Sequence, residues 1–287
     1  MPDQPPSARL STKTDKKRKR QTEESSRKDT SPQGRSTNNK SSDVPSKKKL
    51  KKGKGELQQK QNLQNTEGIK GAQRENAINV SIGLMDGRLL ADHLVQKARK
   101  LNKDLTAVEL NDLCVSDSVF RDTTSFNSTR SLDQLATFLK TFSPDSGAGL
   151  SKSSEETGTP HTLVISPAAL RAADVVRALR TFQNKESIIG KLFAKHIKLE
   201  EAKQFLQRAR TGLGVGTPTR ISDLIESGAL KLNELERIVI DGSFIDQKQR
   251  GIFDMKETHF PLLQLLNRPE LNACYKRKEK PARILVF

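Results

Sequence analysis

Apolar residues in the second half of the chain occur in short runs. These runs alternate with segments in which apolar residues recur every three or four positions, and they end at or beside Ile165, Phe193, Gly216, Asp241 and Phe287. Short buried strands joined by amphipathic helices are typical of βαβ units that build a parallel sheet. The pattern predicts an α/β domain with a mainly parallel sheet of about five strands over residues 161–287.

Two of the predicted strands are followed by a hydroxyl residue and a proline. Ser166 and Pro167 follow a strand at 162–165, and Thr217 and Pro218 follow the strand that ends at Gly216. A hydroxyl side chain caps the free amides of a helix start, and proline fits the first helical position. Both pairs therefore predict helices that begin where a strand ends. The second of these helices runs through residues 221–225. The other predicted elements are strands at 187–193, 237–241 and 284–287, and helices at 199–207 and 261–266.

The region before the sheet has helical periodicity. Apolar residues recur at helical spacing from Leu84 to Leu101, and Thr106 with Glu109 forms a capping box that predicts a second helix. Ser131 with Gln134 predicts a third helix in the same way. Residues 67–143 are therefore predicted to be a helical extension. Residues 144–160 are rich in Ser, Gly, Glu and Thr, which predicts a flexible surface loop.

Residues 1–66 form a polar, basic arm. Large apolar side chains are few there, so the arm cannot offset the entropy of ordering its backbone and is predicted to be disordered. Residues 1–70 contain 19 Lys and Arg against 8 Asp and Glu, so +11 of the net charge of +17 lies in this part of the chain. A polycation of this kind binds a polyanion, either a nucleic acid or an acidic membrane surface.

Two dense basic clusters in the arm match the short runs that nuclear import receptors read and that also bind phosphate backbones. They comprise Lys16, Lys17, Arg18, Lys19 and Arg20, and then Lys47, Lys48, Lys49, Lys51, Lys52 and Lys54. A solubilising tail is the alternative interpretation. Import and nucleic-acid contact are compatible with each other, and the clusters predict a nuclear protein.

Several classes of protein find no support in the sequence. No apolar run approaches the ~20 residues of a membrane span, and the first residues lack the apolar core of a secretory signal. Cys114 and Cys274 make neither a disulfide framework nor a zinc site, and no two of the four histidines have metal-ligand spacing. We therefore expect an intracellular protein with no membrane contact, metal, cofactor, small-molecule substrate or catalytic residue.

Three segments resemble landmarks of the first RecA-like domain of DEAD-box RNA helicases, in the same order. Ser166-Pro167 resembles a segment that grips the RNA backbone, and residues 214–221, Gly-Val-Gly-Thr-Pro-Thr-Arg-Ile, are similar to the second RNA-gripping motif. Residues 238–241, Ile-Val-Ile-Asp, stand where the family has its acidic strand end. The resemblance implies a single RecA-like domain with RNA contacts at Ser166, Thr217, Thr219 and Arg220.

The same resemblance implies that catalysis has been lost. In the family the first acid of this motif holds magnesium and the Glu after it positions the attacking water, whereas Gly242 follows Asp241 here. Asp241 is thus predicted to be a relic. The family's phosphate-binding loop has no clear equivalent either. Its nearest candidate, residues 147–153, has Ser in place of the last glycine and no strand before it.

Most of the folded region resembles the Cms-one family, nucleolar proteins associated with early small-subunit pre-ribosomes. The resemblance spans roughly residues 105–287 and is most specific at residues 191–198, Lys-Leu-Phe-Ala-Lys-His-Ile-Lys, together with Gly-Val-Gly-Thr-Pro. Members of that family are helicase-like without an evident ATPase. Because helicases keep a glycine pair near RNA at this place, the resemblance makes further RNA-contact candidates of Lys191, Lys195, His196 and Lys198. Thr219 replaces the usual glycine and adds a Cβ where the backbone would approach RNA.

These observations predict a non-catalytic RNA-binding or assembly factor of the nucleolar small-subunit (90S) pre-ribosome, with pre-ribosomal RNA and proteins as partners. Two alternatives stay open. An active RNA-dependent NTPase or helicase would need an unorthodox nucleotide site around Gly147, and a DNA or chromatin protein would owe its helicase likeness to ancestry alone. The residues do not separate RNA from DNA, because contact with a 2′-hydroxyl depends on three-dimensional placement.

Overall fold

The computed structural model describes residues 77–287, so the predictions for residues 1–66, including both basic clusters, lie outside the described residues. The described part contains five strands: β1 (Thr162–Ile165), β2 (Ile188–Leu192), β3 (Thr211–Gly216), β4 (Arg237–Ile240) and β5 (Arg283–Val286). It also contains eight α-helices: α1 (Gly87–Leu101), α2 (Ala107–Asp112), α3 (Leu135–Thr141), α4 (Ala169–Ala178), α5 (Leu199–Arg208), α6 (Pro218–Glu226), α7 (Lys256–Leu266) and α8 (Pro269–Tyr275).

The five strands form one parallel sheet in the order β2-β3-β1-β4-β5, which confirms the predicted α/β class. Successive side chains of a strand point to opposite faces, so β1 sends Leu163 and Ile165 into one apolar cluster and Val164 into another. The first cluster contains side chains of α1, α2 and α5 to α8, and the second contains those of α3 and α4. The molecule therefore has three layers, and the core is divided by the sheet.

Several helix starts follow the predicted chemistry. The capping box of Thr106 and Glu109 is present at the start of α2, and α6 begins at Pro218 with Thr217 as its N-cap. The Thr217 side chain, however, makes no capping hydrogen bond. Helix α1 has an unforeseen cap, since Asp86 accepts a hydrogen bond from the N–H of Leu89 at 2.8 Å.

Other element predictions were wrong at their ends. Ser166 and Pro167 do not start α4, because the helix begins at Ala169 and its N-cap residue, Ala168, has extended backbone. Ser131 precedes a single 3-10 turn before α3 and makes no capping hydrogen bond with its side chain. Helix α7 begins five residues before Pro261 and contains that proline, and α8 was not predicted. Asp246 closes a turn after β4, because its carboxylate accepts the N–H groups of Lys248 and Arg250.

Residues 144–160 are packed more closely than their composition suggests. The Leu150 side chain is fully buried in the second cluster, and the guanidinium of Arg210 donates to the carbonyls of Ser153 and Ser154. Gly158 has a positive φ of 74°, and a Cβ there would lie 2.6 Å from the carbonyl oxygen of Ala229. The segment contains no strand or α-helix, yet it is anchored to the domain at several points.

The two edges of the sheet differ. At the β5 edge, the segment around residues 121–123 covers the outer strand. The N–H of Arg121 donates to Ile284 O at 2.8 Å, and Thr123 Oγ1 donates to Val286 O at 3.3 Å. At the other edge, no described segment pairs with the outer side of β2. Within residues 77–287, no helix is long and apolar enough to cross a bilayer.

Candidate nucleic-acid interface

The carboxyl ends of β2 and β3 bring two of the predicted RNA-contact segments together. The N–H of Thr217 donates to the carbonyl of Leu192 at 3.2 Å, and Nη1 of Arg220 donates to the carbonyl of Ile197 at 3.0 Å. These bonds fasten the start of α6 to the loop after β2. Segments that are separate in sequence thus form one surface at the carboxyl edge of the sheet.

We call Lys191, Lys195, Lys198 and Arg220 the carboxyl-edge basic strip. Its three lysines are exposed, as are His196 and Thr219, whereas Arg220 and Thr217 are half-buried. Among the described residues, no carboxylate lies within 4.0 Å of the nitrogen of any of these lysines.

The first turn of α6 carries no acidic residue, so the partial positive charge of this helix start is not opposed within the turn. Exposed lysines, a half-buried guanidinium and a helix N-terminus on one surface suit phosphate groups.

The structure places Ser166 differently from the other candidates. Its side chain is fully buried and its Oγ has no hydrogen-bond partner among the described residues. Its backbone N–H donates to Gly216 O at 2.8 Å, which ties the end of β1 to the end of β3. In this arrangement the Ser166 backbone stabilises the carboxyl edge of the sheet, and its buried hydroxyl is not available to a ligand.

Asp241 lies at the carboxyl end of β4, as predicted, but it is sequestered. Its carboxylate is 2% exposed and binds the guanidinium of Arg171 through two hydrogen bonds, Nε to Oδ2 at 2.7 Å and Nη2 to Oδ1 at 3.0 Å. The ring of Phe244 covers the guanidinium, with Cζ of Arg171 4.4 Å from the ring centroid. A magnesium ion would have to displace a buried cation to reach this acid.

Gly242 lies where a catalytic Glu would stand, and the space beside it is filled. A Cβ at this position would lie 2.6 Å from Val286 Cγ1, 2.9 Å from Phe253 Cε2 and 3.3 Å from Ile82 Cγ2. Ile82 comes from a 3-10 turn, Val80–Leu84, that precedes α1. The chain leading into this turn pairs with the segment after β4, because the N–H of Asn79 donates to Ser243 O at 2.7 Å.

Residues 147–153, the alternative nucleotide loop, lie at the other end of the sheet. The carbonyl of Lys152 contacts Nε2 of His161 at 3.1 Å, and His161 immediately precedes β1 at the amino edge. Asp241 follows the carboxyl end of the adjacent strand β4. The loop and the acid therefore cannot share one bound nucleotide. Residues 77–287 contain no group of three or more His, Cys, Asp or Glu that could hold a metal ion.

Sequence reasoning missed three residues that shape this region: Arg171, Ile82 and Arg130. Arg130 is buried, and its guanidinium donates to the carbonyls of Val286, Gly83 and Thr123. Burial lowers the pKa of Arg130 to about 10. The glycine after Asp241 was the one available signal, because a residue without a side chain in that place leaves room for close packing.

Fold and site together define an α/β domain with a five-stranded parallel sheet, a basic carboxyl edge and an acidic strand end closed by an internal ion pair. Residues 11–287 match the family described as CMS1: U3-containing 90S pre-ribosomal complex subunit. The chain belongs to this family, which confirms the membership predicted from its motifs.

Two curated relatives and one solved structure illustrate the similarity. Protein CMS1 of Chaetomium thermophilum is 48% identical over 213 residues, covering 74% of this chain and 84% of the relative. Protein CMSS1 of Homo sapiens is 32% identical over 186 residues, covering 63% of this chain and 64% of the relative. The crystal structure of a DEAD box protein from Methanococcus jannaschii covers 54% of this chain and 36% of its own, at 20% identity and a TM-score of 0.36.

Proposed function

We propose that this chain is a non-catalytic RNA-binding assembly factor of the early small-subunit pre-ribosome, acting in the nucleolus. Membership in a family of 90S pre-ribosomal complex subunits makes it a ribosome-biogenesis factor. The finer assignment depends on one observation. Arg220 binds the carbonyl of Ile197, and this bond joins the start of α6 to the loop that carries Lys195 and Lys198. The resulting surface presents unpaired cations to a phosphate backbone.

The closed state of the acidic strand end supports a non-catalytic role. Magnesium-assisted phosphoryl transfer needs an acid that is free to bind the ion and a residue that orients water. Asp241 is occupied by Arg171, and Gly242 has neither a carboxylate nor room for one. Under this proposal RNA binding requires no nucleotide.

The arm supplies nuclear import and non-specific attraction in this proposal. Its excess charge of +11 exceeds that of the rest of the chain, and counterion release from RNA scales with the phosphates neutralised. Deleting residues 1–66 should therefore weaken RNA binding and flatten its salt dependence. A truncated chain with the full salt slope would show that the arm does not contact RNA.

The contact surface is tested by measuring salt-dependent binding of a fluorescein-labelled single-stranded oligoribonucleotide to the full chain. The variant Lys195→Ala/Lys198→Ala removes two strip cations, and Lys276→Ala/Lys278→Ala removes two exposed cations that follow α8. The slope of log K against log salt should fall by about 1.4 for the strip variant, since each phosphate contact on a single strand contributes about 0.7. The control should keep the wild-type slope. Equal slopes in both variants would show that the strip is not part of the RNA interface.

Two further measurements separate the competing functions. Crosslinking followed by sequencing of the bound nucleic acid should recover pre-ribosomal RNA, and recovery of DNA or unrelated messenger RNA would contradict the proposal. The purified chain should show no RNA-stimulated ATP hydrolysis. Hydrolysis that is abolished by Asp241→Asn would instead establish an active enzyme, because this change keeps the shape of the side chain.

A further inference from the structure

No described segment pairs with the outer side of strand β2. The N–H of Ile188 donates to Arg210 O at 3.0 Å, and the carbonyl of Leu192 accepts from Thr217, so both residues point toward β3. Backbone polar groups alternate in direction along a strand, which turns the N–H and C=O groups of Ile189 and Lys191 outward. No backbone hydrogen bond from either residue to a described segment outside the sheet ladder is present. Two donors and two acceptors at this edge therefore have no backbone partner among the described residues; Lys191 is exposed, whereas Ile189 is 3% exposed.

A groove runs along the same edge. It consists of two adjoining cavities of about 610 and 420 Å³ that share Ile188, Glu201 and Phe205 in their walls. Apolar side chains line the smaller cavity, contributed by Val176, Ile189, Ile197, Ala202 and Phe205. A strand edge beside an apolar groove fits strand addition, in which an extended peptide pairs with the edge and alternate side chains enter the groove.

The charges around the groove favour an acidic ligand. Five cations line it, Arg180, Lys185, Lys191, Arg208 and Arg210, against two anions, Glu186 and Glu201. A second copy paired edge to edge would bring two such basic rims together, and the chain's own basic arm carries the same sign of charge. An acidic segment of another protein is complementary in charge. RNA is less suited to this place, because Phe205 is the one aromatic residue in the lining and it is half-buried.

We propose that the outer edge of β2 binds an extended acidic polypeptide segment, with alternating apolar and acidic side chains, as a sixth strand of the sheet. The apolar side chains enter the groove along Ile189 and Phe205, and the acidic ones meet the basic rim. This inference goes beyond the proposed function: it assigns a protein-binding surface that shares only Lys191 with the carboxyl-edge basic strip.

The test uses the full chain and a synthetic capped peptide of alternating Val and Glu. Bound peptide should slow amide hydrogen exchange at Ile189 and Lys191, with little change at Gly190 and Leu192, which already bond to β3. A peptide with Lys in place of Glu, and one with proline at its centre, should bind at least tenfold more weakly, a loss of about 1.4 kcal/mol. Equal binding of the Lys peptide, or unchanged exchange at Ile189 and Lys191, would overturn the proposal.

Substitution at one position separates strand pairing from charge. Lys191→Pro removes the outward N–H together with the cation, and Lys191→Ala removes the cation alone. Peptide affinity should fall about tenfold further in the proline variant than in the alanine variant, whereas RNA affinity should be equal in the two. Equal peptide affinities would contradict strand addition. If the proline variant does not fold, the exchange measurement on the unmodified chain decides the question. Slowed exchange at Ile189, which lies outside the carboxyl-edge basic strip, with an oligoribonucleotide would assign the groove to RNA and refute the proposal.

Discussion

The guanidinium of Arg171 holds both carboxylate oxygens of Asp241, with Nε 2.7 Å from Oδ2 and Nη2 3.0 Å from Oδ1. Both side chains are buried, and the ring of Phe244 covers the pair. An acid at the end of a parallel strand is well placed to hold a metal ion, but here an arginine from α4 takes that place. The pair converts a position of potential catalysis into a link between β4 and α4.

Breaking this pair should destabilise the fold strongly. Arg171→Ala leaves Asp241 as an uncompensated buried charge, which we expect to lower the free energy of unfolding by about 3–5 kcal/mol in urea titration. The matched control is Arg177→Ala on the same helix, where an exposed arginine pairs with the half-buried Asp174, with an expected cost below about 1 kcal/mol. The double variant Arg171→Met/Asp241→Leu should recover most of the loss. Similar costs for Arg171→Ala and Arg177→Ala would contradict the structural role assigned here.

Gly242 should tolerate no side chain. Gly242→Ala places a Cβ 2.6 Å from Val286 and 2.9 Å from Phe253, and the resulting overpacking should cost about 1–3 kcal/mol of unfolding free energy. Gly149→Ala is the control, because a Cβ there meets nothing within 4 Å, and its effect should be neutral or slightly stabilising. Thermal unfolding of both variants measures the difference. A neutral Gly242→Ala would show that the space beside this residue is open.

Arg130 should hold the Val80–Leu84 turn against the sheet. Arg130→Lys offers one ammonium group for the carbonyls of Val286, Gly83 and Thr123, so buried acceptors lose their partners at a cost of about 2–3 kcal/mol. Amide exchange in the turn should also become faster. Arg121→Lys is the control, since Arg121 is exposed and lies over the ring of Phe142. Unchanged exchange in the turn would assign its anchoring to Ile82 and to the hydrogen bond between Asn79 and Ser243.

Two histidines should make stability depend on pH. Burial, together with the charges of His93 and Lys97, lowers the pKa of His259 to about 4, and burial beside Arg237 lowers the pKa of His161 to about 4. Because the ordinary histidine value is 6.5, the unfolded chain binds more protons than the folded chain between pH 6.5 and 4. The stability contributed by the neutral rings is complete above pH 6.5 and is lost as the pH falls toward 4.

Each histidine contributes up to about 1.4 kcal/mol per pH unit over this range. His259→Leu should therefore halve the slope of unfolding free energy against pH that the two residues produce together. Val108→Ala, at an exposed position without a titratable group, should keep the wild-type slope. Urea titrations at several pH values provide the measurement, and an unaltered slope in His259→Leu would refute the assignment.

Local patterns in the chain were sufficient for the strands, for most helices and for the position of Asp241. Apolar runs and helical periodicity depend on neighbours a few residues apart, as does the capping box of Thr106 and Glu109, so each can be read without coordinates. The motif at 214–221 likewise located the start of α6. The predicted RNA-contact residues came from the family resemblance, and their role stays a prediction.

Long-range contacts determined how the carboxyl edge is closed and which edge of the sheet stays open. Arg171 lies 70 residues before Asp241, and Arg130 lies 156 residues before Val286, so neither partnership leaves a local pattern. Ser166 followed the spacing of an exposed cap, yet folding placed its hydroxyl in the interior. Packing energy depends on which surfaces contact each other. The strand order determines these contacts, and it exists only in the folded chain.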